Sequence, residues 1–324
     1  MLPTIYIIGG ITPFMEAQLV PHFTLIYDAK LEDSAKWLAE HGADVRYVLT
    51  NGHDGIASDY IDAMPHVKLI SNYGVGYDAI DVSYMRDKGI IVTHTPDVLN
   101  EEVATTALML MLSCYREFRY NEAHARTGAW EKDGNARLSR SADNRVVGIV
   151  GLGRIGTAIA RKLEAFNAEI IYHNRNEKQV PYRYFDNLIE MAEAADTLIA
   201  ITPGGASTNA LISKEVFEAL GPEGVFINVA RGSVVDEPAL ISALETKTIA
   251  AAGLDVFAAE PHIPDQLKTL ENVVLLPHIG SATEETRAAM GQLTVDNIIC
   301  YEKTGAVHTP VPETAEIATV AKRG

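Results

Sequence analysis

The amino-acid sequence predicts an α/β protein of two doubly wound parallel-sheet domains, on three observations. Short apolar segments alternate with polar helical ones through the first third. A long, nearly all-round apolar helix and a long polar segment then interrupt the alternation. From Val146 the alternation starts again. Apolar runs this short, without polar residues at every second position, suit strands covered by helices on both faces.

In the first third the strands are expected at 5–8, 24–26, 46–49, 68–71 and 90–93, with helices such as 33–41 between them. A helix over 101–115 carries the run Ala107-Leu108-Met109-Leu110-Met111-Leu112, the pattern of a buried connector. The polar, irregular segment 117–144 that follows is too long for an ordinary connection inside one domain, so it is expected to be functional or to pack on something else. The second series of strands falls at 146–150, 170–173, 197–201, 225–229, 251–254 and 273–276. A last helix is expected from 283 to about 303.

The 324 residues are 47% hydrophobic and 22% charged, an ordinary globular composition. A net charge of −16 argues against nucleic acid or an anionic membrane as partner. No apolar run reaches the ~18 residues of a membrane span, and no secretory pattern opens the chain. The two cysteines, Cys114 and Cys300, make no disulfide framework, and the expected compartment is the cytoplasm. No metal site is expected.

Gly151-Leu152-Gly153-Arg154-Ile155-Gly156 follows the apolar strand Val146–Val150 and opens a helical stretch, the setting in which G-x-G-x-x-G binds a dinucleotide. Gly151 permits the tight turn, Gly153 lets the backbone approach a pyrophosphate, and Gly156 lets helix and strand pack closely. The helix N-terminus offers N–H groups to the phosphates. At the end of the next strand, NAD-binding units place an acidic residue on the ribose. Here the chain reads His173-Asn174-Arg175-Asn176. Asn174 bonds a ribose oxygen without repelling phosphate, and the Arg175 guanidinium pairs with a 2′-phosphate. NADP(H) is therefore expected as the preferred cofactor, with NAD(H) possible.

Further motifs occur in a fixed order: residues 72–78 (Asn-Tyr-Gly-Val-Gly-Tyr-Asp), 228–236 (Asn-Val-Ala-Arg-Gly-Ser-Val-Val-Asp), 253–257 with Glu260-Pro261, and 277–281 (Pro-His-Ile-Gly-Ser). With the glycine motif they make the chain resemble the D-isomer-specific 2-hydroxyacid dehydrogenases along nearly its whole length. Within that family it is most similar to NADPH-preferring bacterial glyoxylate/hydroxypyruvate and 2-ketogluconate reductases. The resemblance implies a Rossmann cofactor domain, residues 101–289, inserted into a flavodoxin-like substrate domain, residues 1–100 plus 290–324. It also implies a homodimer.

The activity implied is NADPH-dependent reduction of a small 2-oxo acid (glyoxylate, hydroxypyruvate or 2-ketogluconate) to the D-2-hydroxy acid. Such a reaction needs a hydride donor, a cation for the carboxylate and an acid for the developing alkoxide. Arg231, just past the strand 225–229, can bind the carboxylate. His278 follows another strand, and a partner carboxylate from Glu260 favours the imidazolium needed as general acid. The resemblance assigns these roles to Arg231, Glu260 and His278, and the substrate carboxylate to the backbone of Val75 and Gly76. It gives the cofactor Arg154 and Ile155 within the glycine motif, Thr202, Pro203, Thr208, Val229, Ala230, Asp255, His278 and Gly280. Formate dehydrogenases of the same architecture have Gln where Glu260 stands; these and phosphonate dehydrogenases are one alternative, and nucleotide-sensing corepressors another. Segment 117–144, with Trp130, is expected to be a dimer arm.

Overall fold

The computed structural model describes residues 2–321. Contacts between Cα atoms divide the chain into two units, Met1–Leu99 with Thr283–Gly324, and Asn100–Ala282.

The first unit starts β1 (Thr4–Ile7), α1 (Pro13–Leu19), β2 (Thr24–Tyr27), α2 (Ser34–His41), β3 (Val45–Asn51), α3 (Ser58–Asp62), β4 (Leu69–Tyr73), α4 (Val82–Asp87) and β5 (Ile91–Thr93). Side-chain oxygens of Thr12, Asp33 and Asp81 accept backbone N–H bonds at the starts of α1, α2 and α4, which fixes where these helices begin. The strands form one sheet in the order β2-β1-β3-β4-β5, every pairing parallel, with reversal of strand order at β1/β3.

The second unit opens with α5 (Asn100–Tyr115), α6 (Phe118–Arg126) and α7 (Ala129–Asp133). The segment expected to be irregular thus holds two helices, neither of which has a buried residue. On α5 the apolar run is not covered all round: Leu110 and Met111 are fully buried, whereas Met109 is 42% exposed. The unit continues β6 (Val146–Val150), α8 (Arg154–Leu163), β7 (Glu169–His173), β8 (Arg183–Phe185), α9 (Leu188–Ala194), β9 (Thr197–Ala200), α10 (Lys214–Leu220), β10 (Val225–Asn228), α11 (Glu237–Glu245), β11 (Ala251–Leu254), α12 (Asp265–Thr269) and β12 (Val273–Leu275). Its sheet runs β12-β11-β10-β9-β6-β7-β8, all parallel. Strand order reverses between β6 and β9, and ligands of such sheets bind at the carboxyl ends beside that reversal. Edge strand β8, three residues long, is too short to show a period and was not expected.

The chain then returns to the first unit through α13 (Glu284–Thr304), β13 (Ala306–Val307) and β14 (Thr319–Val320). The return comes at Thr283 rather than at the expected 290, because α13 is one continuous helix that belongs to the first unit whole. It covers β4: the Ser71 hydroxyl donates to the Thr294 carbonyl at 3.0 Å. Among the described residues no helix is long and apolar enough to cross a membrane.

Candidate active site

In the second unit β6 delivers the glycine loop. Gly151 has φ +105°, and a Cβ there would lie 2.9 Å from the Thr202 nitrogen, so β6 and β9 can come this close only at glycine. A Cβ on Gly156 would lie 2.4 Å from the Gly151 carbonyl, which seats the first turn of α8 on the loop. At Gly153 a Cβ would meet nothing within 4 Å. That glycine is the N-cap of α8 and has no side chain covering the helix N-terminus. Backbone donors beside open space fit a dinucleotide pyrophosphate. Arg154 is exposed and Ile155 half-buried on the first turn.

Asn174, one residue past β7, is tied to that loop. Its side-chain oxygen accepts the Leu152 N–H at 2.7 Å, and its backbone carbonyl accepts the Tyr184 hydroxyl at 3.1 Å. Arg175 beside it is exposed. Past β9, Thr202 and Thr208 both donate their hydroxyls to the Pro203 carbonyl, at 2.9 and 2.8 Å, closing a turn next to Gly151.

The other half of the sheet brings together polar side chains from the loops after three adjacent strands. After β10, Asn228 wraps the chain: its amide donates to the Arg231 carbonyl at 3.1 Å and its oxygen accepts the Ala230 N–H at 3.0 Å. Val229 and Ala230 are buried and lead into Arg231, whose Nη1 donates to the Ala230 carbonyl at 2.8 Å. After β11, Asp255 holds three successive amides of the next loop. Its carbonyl accepts from His278 N at 2.9 Å, and its carboxylate oxygens accept from Ile279 N at 2.7 Å and Gly280 N at 2.8 Å. Burial pushes the Asp255 carboxyl above the ordinary aspartate value, against the pull of the two amides.

This anchoring keeps His278 at φ +53°, a left-handed conformation that an unsupported residue leaves. Its Nδ1 lies 2.7 Å from Glu260 Oε2, while Glu260 Oε1 accepts the Phe257 N–H at 3.0 Å. An ionised carboxylate only accepts, so this pairing suits an imidazole protonated on Nδ1 and leaves Nε2 outside the pair. A Cβ on Gly232 would fall 1.9 Å from the Phe257 carbonyl carbon, so the turn after Arg231 is pressed against the backbone that orients Glu260.

In the first unit, Val75 and Gly76 follow β4. Asn72 donates its amide to the carbonyls of Gly74 and Gly76, at 3.0 and 2.9 Å, and His94 Nδ1 contacts the Val75 carbonyl at 3.0 Å. In planar trans peptides the next residue's N–H points opposite to each carbonyl. The N–H groups of Val75 and Tyr77 therefore point away from the Asn72 amide, and that of Gly76 points away from His94.

Residues 108–280 match the family model described as "D-isomer specific 2-hydroxyacid dehydrogenase, NAD binding domain". The chain belongs to this family. Hydroxyphenylpyruvate reductase of Plectranthus scutellarioides is 40% identical over 299 residues, 92% of this chain and 95% of the relative. The 2-ketogluconate reductase of Gluconobacter oxydans is 39% identical over 310 residues, 95% and 98% of the two chains. The NADPH-dependent glyoxylate/hydroxypyruvate reductase of Sinorhizobium meliloti, solved with NADP and malonate, superposes with a TM-score of 0.92 at 44% identity, covering 100% of both chains.

As a 2-hydroxyacid dehydrogenase, the chain brings together two sets of the residues singled out from its sequence. Gly151 adjoins Thr202-Pro203, and the glycine loop adjoins Asn174. Arg231, Asp255, Glu260, His278 and Gly280 share the ends of β10, β11 and β12. Asn72, Asn228 and Gly232 lie within motifs read from the sequence but are given no role there, and His94, which contacts the Val75 carbonyl, is not picked out. The one signal it carries for them is a hydrogen-bonding Asn or His beside a glycine-rich motif.

Proposed function

We propose that this dehydrogenase uses NADPH to reduce a small 2-oxo acid, such as glyoxylate, hydroxypyruvate or 2-ketogluconate, to the D-2-hydroxy acid. The observation that carries the reading is the His278–Glu260 pair, 2.7 Å apart, with Glu260 itself held by a backbone N–H. The Arg231 guanidinium binds the substrate carboxylate. A nicotinamide bound at the glycine loop supplies the hydride that C2 receives. His278 Nε2 gives its proton to the oxygen as charge develops there, and Glu260 stabilises the imidazolium beforehand; oxidation returns the proton to the same nitrogen. Asn174 and Arg175 favour NADPH, since neither puts a negative charge beside the 2′-phosphate; NADH remains usable.

The name of the Sinorhizobium relative, NADPH-dependent, and its NADP complex support the cofactor choice. The deciding experiment follows NADPH and NADH absorbance with a panel of 2-oxo acids. Turnover of glyoxylate or hydroxypyruvate with NADPH preferred is expected. Cofactor binding without turnover would favour a nucleotide-sensing role instead.

We further propose a cytoplasmic homodimer in which segment 117–144 forms the arm. Phe118, Trp130 and Leu138 there are 61%, 64% and 96% exposed, more apolar surface than a solvated loop presents without a partner. Light scattering coupled to size exclusion is expected to give twice the chain mass; a monomer at micromolar concentration would remove the arm.

A further inference from the structure

The loop that carries Arg175 is closed from beneath by two tyrosines that no part of the proposed chemistry uses. Tyr172, the fourth residue of β7, is fully buried. Its hydroxyl accepts the Lys178 N–H at 2.9 Å and donates to the Lys178 carbonyl at 3.1 Å, so one side chain satisfies both backbone groups of one residue. Tyr184, on edge strand β8, has its ring centroid 5.4 Å from that of Tyr172 and gives its hydroxyl to the Asn174 carbonyl at 3.1 Å. Asn174 is fixed again through its side chain, on Leu152 N–H at 2.7 Å. The segment is therefore pinned at residue 174 by two bonds and at residue 178 by two more. Arg175, Asn176 and Glu177 hang exposed between the pins.

A surface loop left to itself pays conformational entropy when a ligand orders it, and anchors present beforehand reduce that cost. We propose that Tyr172 and Tyr184 are positioning residues for cofactor choice: their hydroxyls hold 174–178 in the shape that presents Arg175 to the 2′-phosphate. This deepens the proposed NADPH preference and rests on the assignment of Arg175. NADH has no phosphate at that position, so it gains nothing from an ordered Arg175. Loss of a hydroxyl then weakens NADPH and spares NADH. A hydroxyl that only stabilises the fold affects both cofactors alike.

The test compares wild type, Tyr172→Phe, Tyr184→Phe and Arg175→Ala in steady-state kinetics with NADPH and with NADH at saturating glyoxylate, alongside thermal melting. Arg175→Ala is expected to raise KM for NADPH by about tenfold or more, as loss of a charge-assisted contact does. Tyr172→Phe is expected to raise KM for NADPH about three- to tenfold, the worth of one to two buried hydrogen bonds, with kcat and KM for NADH within about twofold. Tyr184→Phe, on the sheet edge, is expected to change in the same direction and stands in should the buried substitution impair folding. If Arg175→Ala abolishes the preference while both Phe variants keep it, the tyrosines have no positioning role. If either Phe variant raises both KM values in proportion, its hydroxyl is structural and the proposal falls. If Arg175→Ala itself leaves the preference intact, the assignment of Arg175 fails, and the proposal with it.

Discussion

Left of the β6/β9 reversal, on β6 and β7, the groups proposed to hold the cofactor are mostly backbone: the N–H groups around Gly153 and the loop tied through Asn174. Right of it, at the ends of β10, β11 and β12, the groups proposed for the reaction are side chains: Arg231, whose guanidinium donates to the preceding carbonyl, and the Glu260–His278 pair. The left half depends on the absence of Cβ atoms and on where the chain runs. The right half depends on which residue stands at each strand end and on the carboxylates beneath it. A phosphate-bearing cofactor is recognised well by dipoles fixed in the fold, whereas a proton donor has to be a titratable side chain. On the proposed reading, one sheet separates holding from reacting.

Four substitutions test that separation. The largest effect is expected for His278→Ala, which lowers kcat by ~10²–10⁴ while cofactor affinity stays within about twofold. Equal loss of cofactor binding, read by quenching of protein fluorescence, would show that the two halves are not separate. Next is Gly232→Ala. The added methyl lies 1.9 Å from the Phe257 carbonyl carbon and pushes the Arg231 turn away from the Glu260 support. Misplacement by about 1 Å costs ~10²-fold, here in kcat/KM for the 2-oxo acid, again with KM for NADPH kept.

On the other half, Asn174→Asp changes charge while leaving the loop in place. An aspartate oxygen can still accept the Leu152 N–H, so the loop keeps its tie. The amide is replaced by a negative oxygen, and the kcat/KM ratio is expected to move from NADPH toward NADH by about tenfold or more. An unmoved ratio would take Asn174 out of cofactor choice. The smallest effect is expected for Glu260→Gln. The amide keeps an oxygen for the Phe257 N–H but not the negative charge beside His278 Nδ1, so kcat is expected to fall about three- to tenfold with KM for NADPH kept. An unchanged kcat would take Glu260 out of the reaction.

Much of this arrangement is legible in the amino-acid sequence. The glycine spacing at 151, 153 and 156 is dictated by backbone approach, so it declares itself in sequence. Arg231 and His278 stand out as polar residues directly after apolar strands. What the sequence hides depends on pairs far apart in the chain. His94 reaches the carbonyl of Val75 across two neighbouring strands, and Tyr184 reaches Asn174 from a strand too short to be seen. Helix α6 escapes for a different reason: it follows Glu117, in a left-handed conformation, without a side-chain cap, and buries nothing, so neither start signal nor apolar stripe marks it.

The return of α13 has a consequence for how the chain is made. The second unit is one uninterrupted stretch, Asn100–Ala282, and all its strands have left the ribosome when its last residue does. The sheet of β1 to β5 is synthesised first, yet β4 lacks the cover of α13, whose Thr294 takes the Ser71 hydroxyl and whose Gly291 lies against Met15. Until about residue 304 emerges, that face stays open to water. Of the two units, the one whose synthesis starts earlier is thus the one finished last, and its open apolar sheet is what a chaperone would meet on the nascent chain.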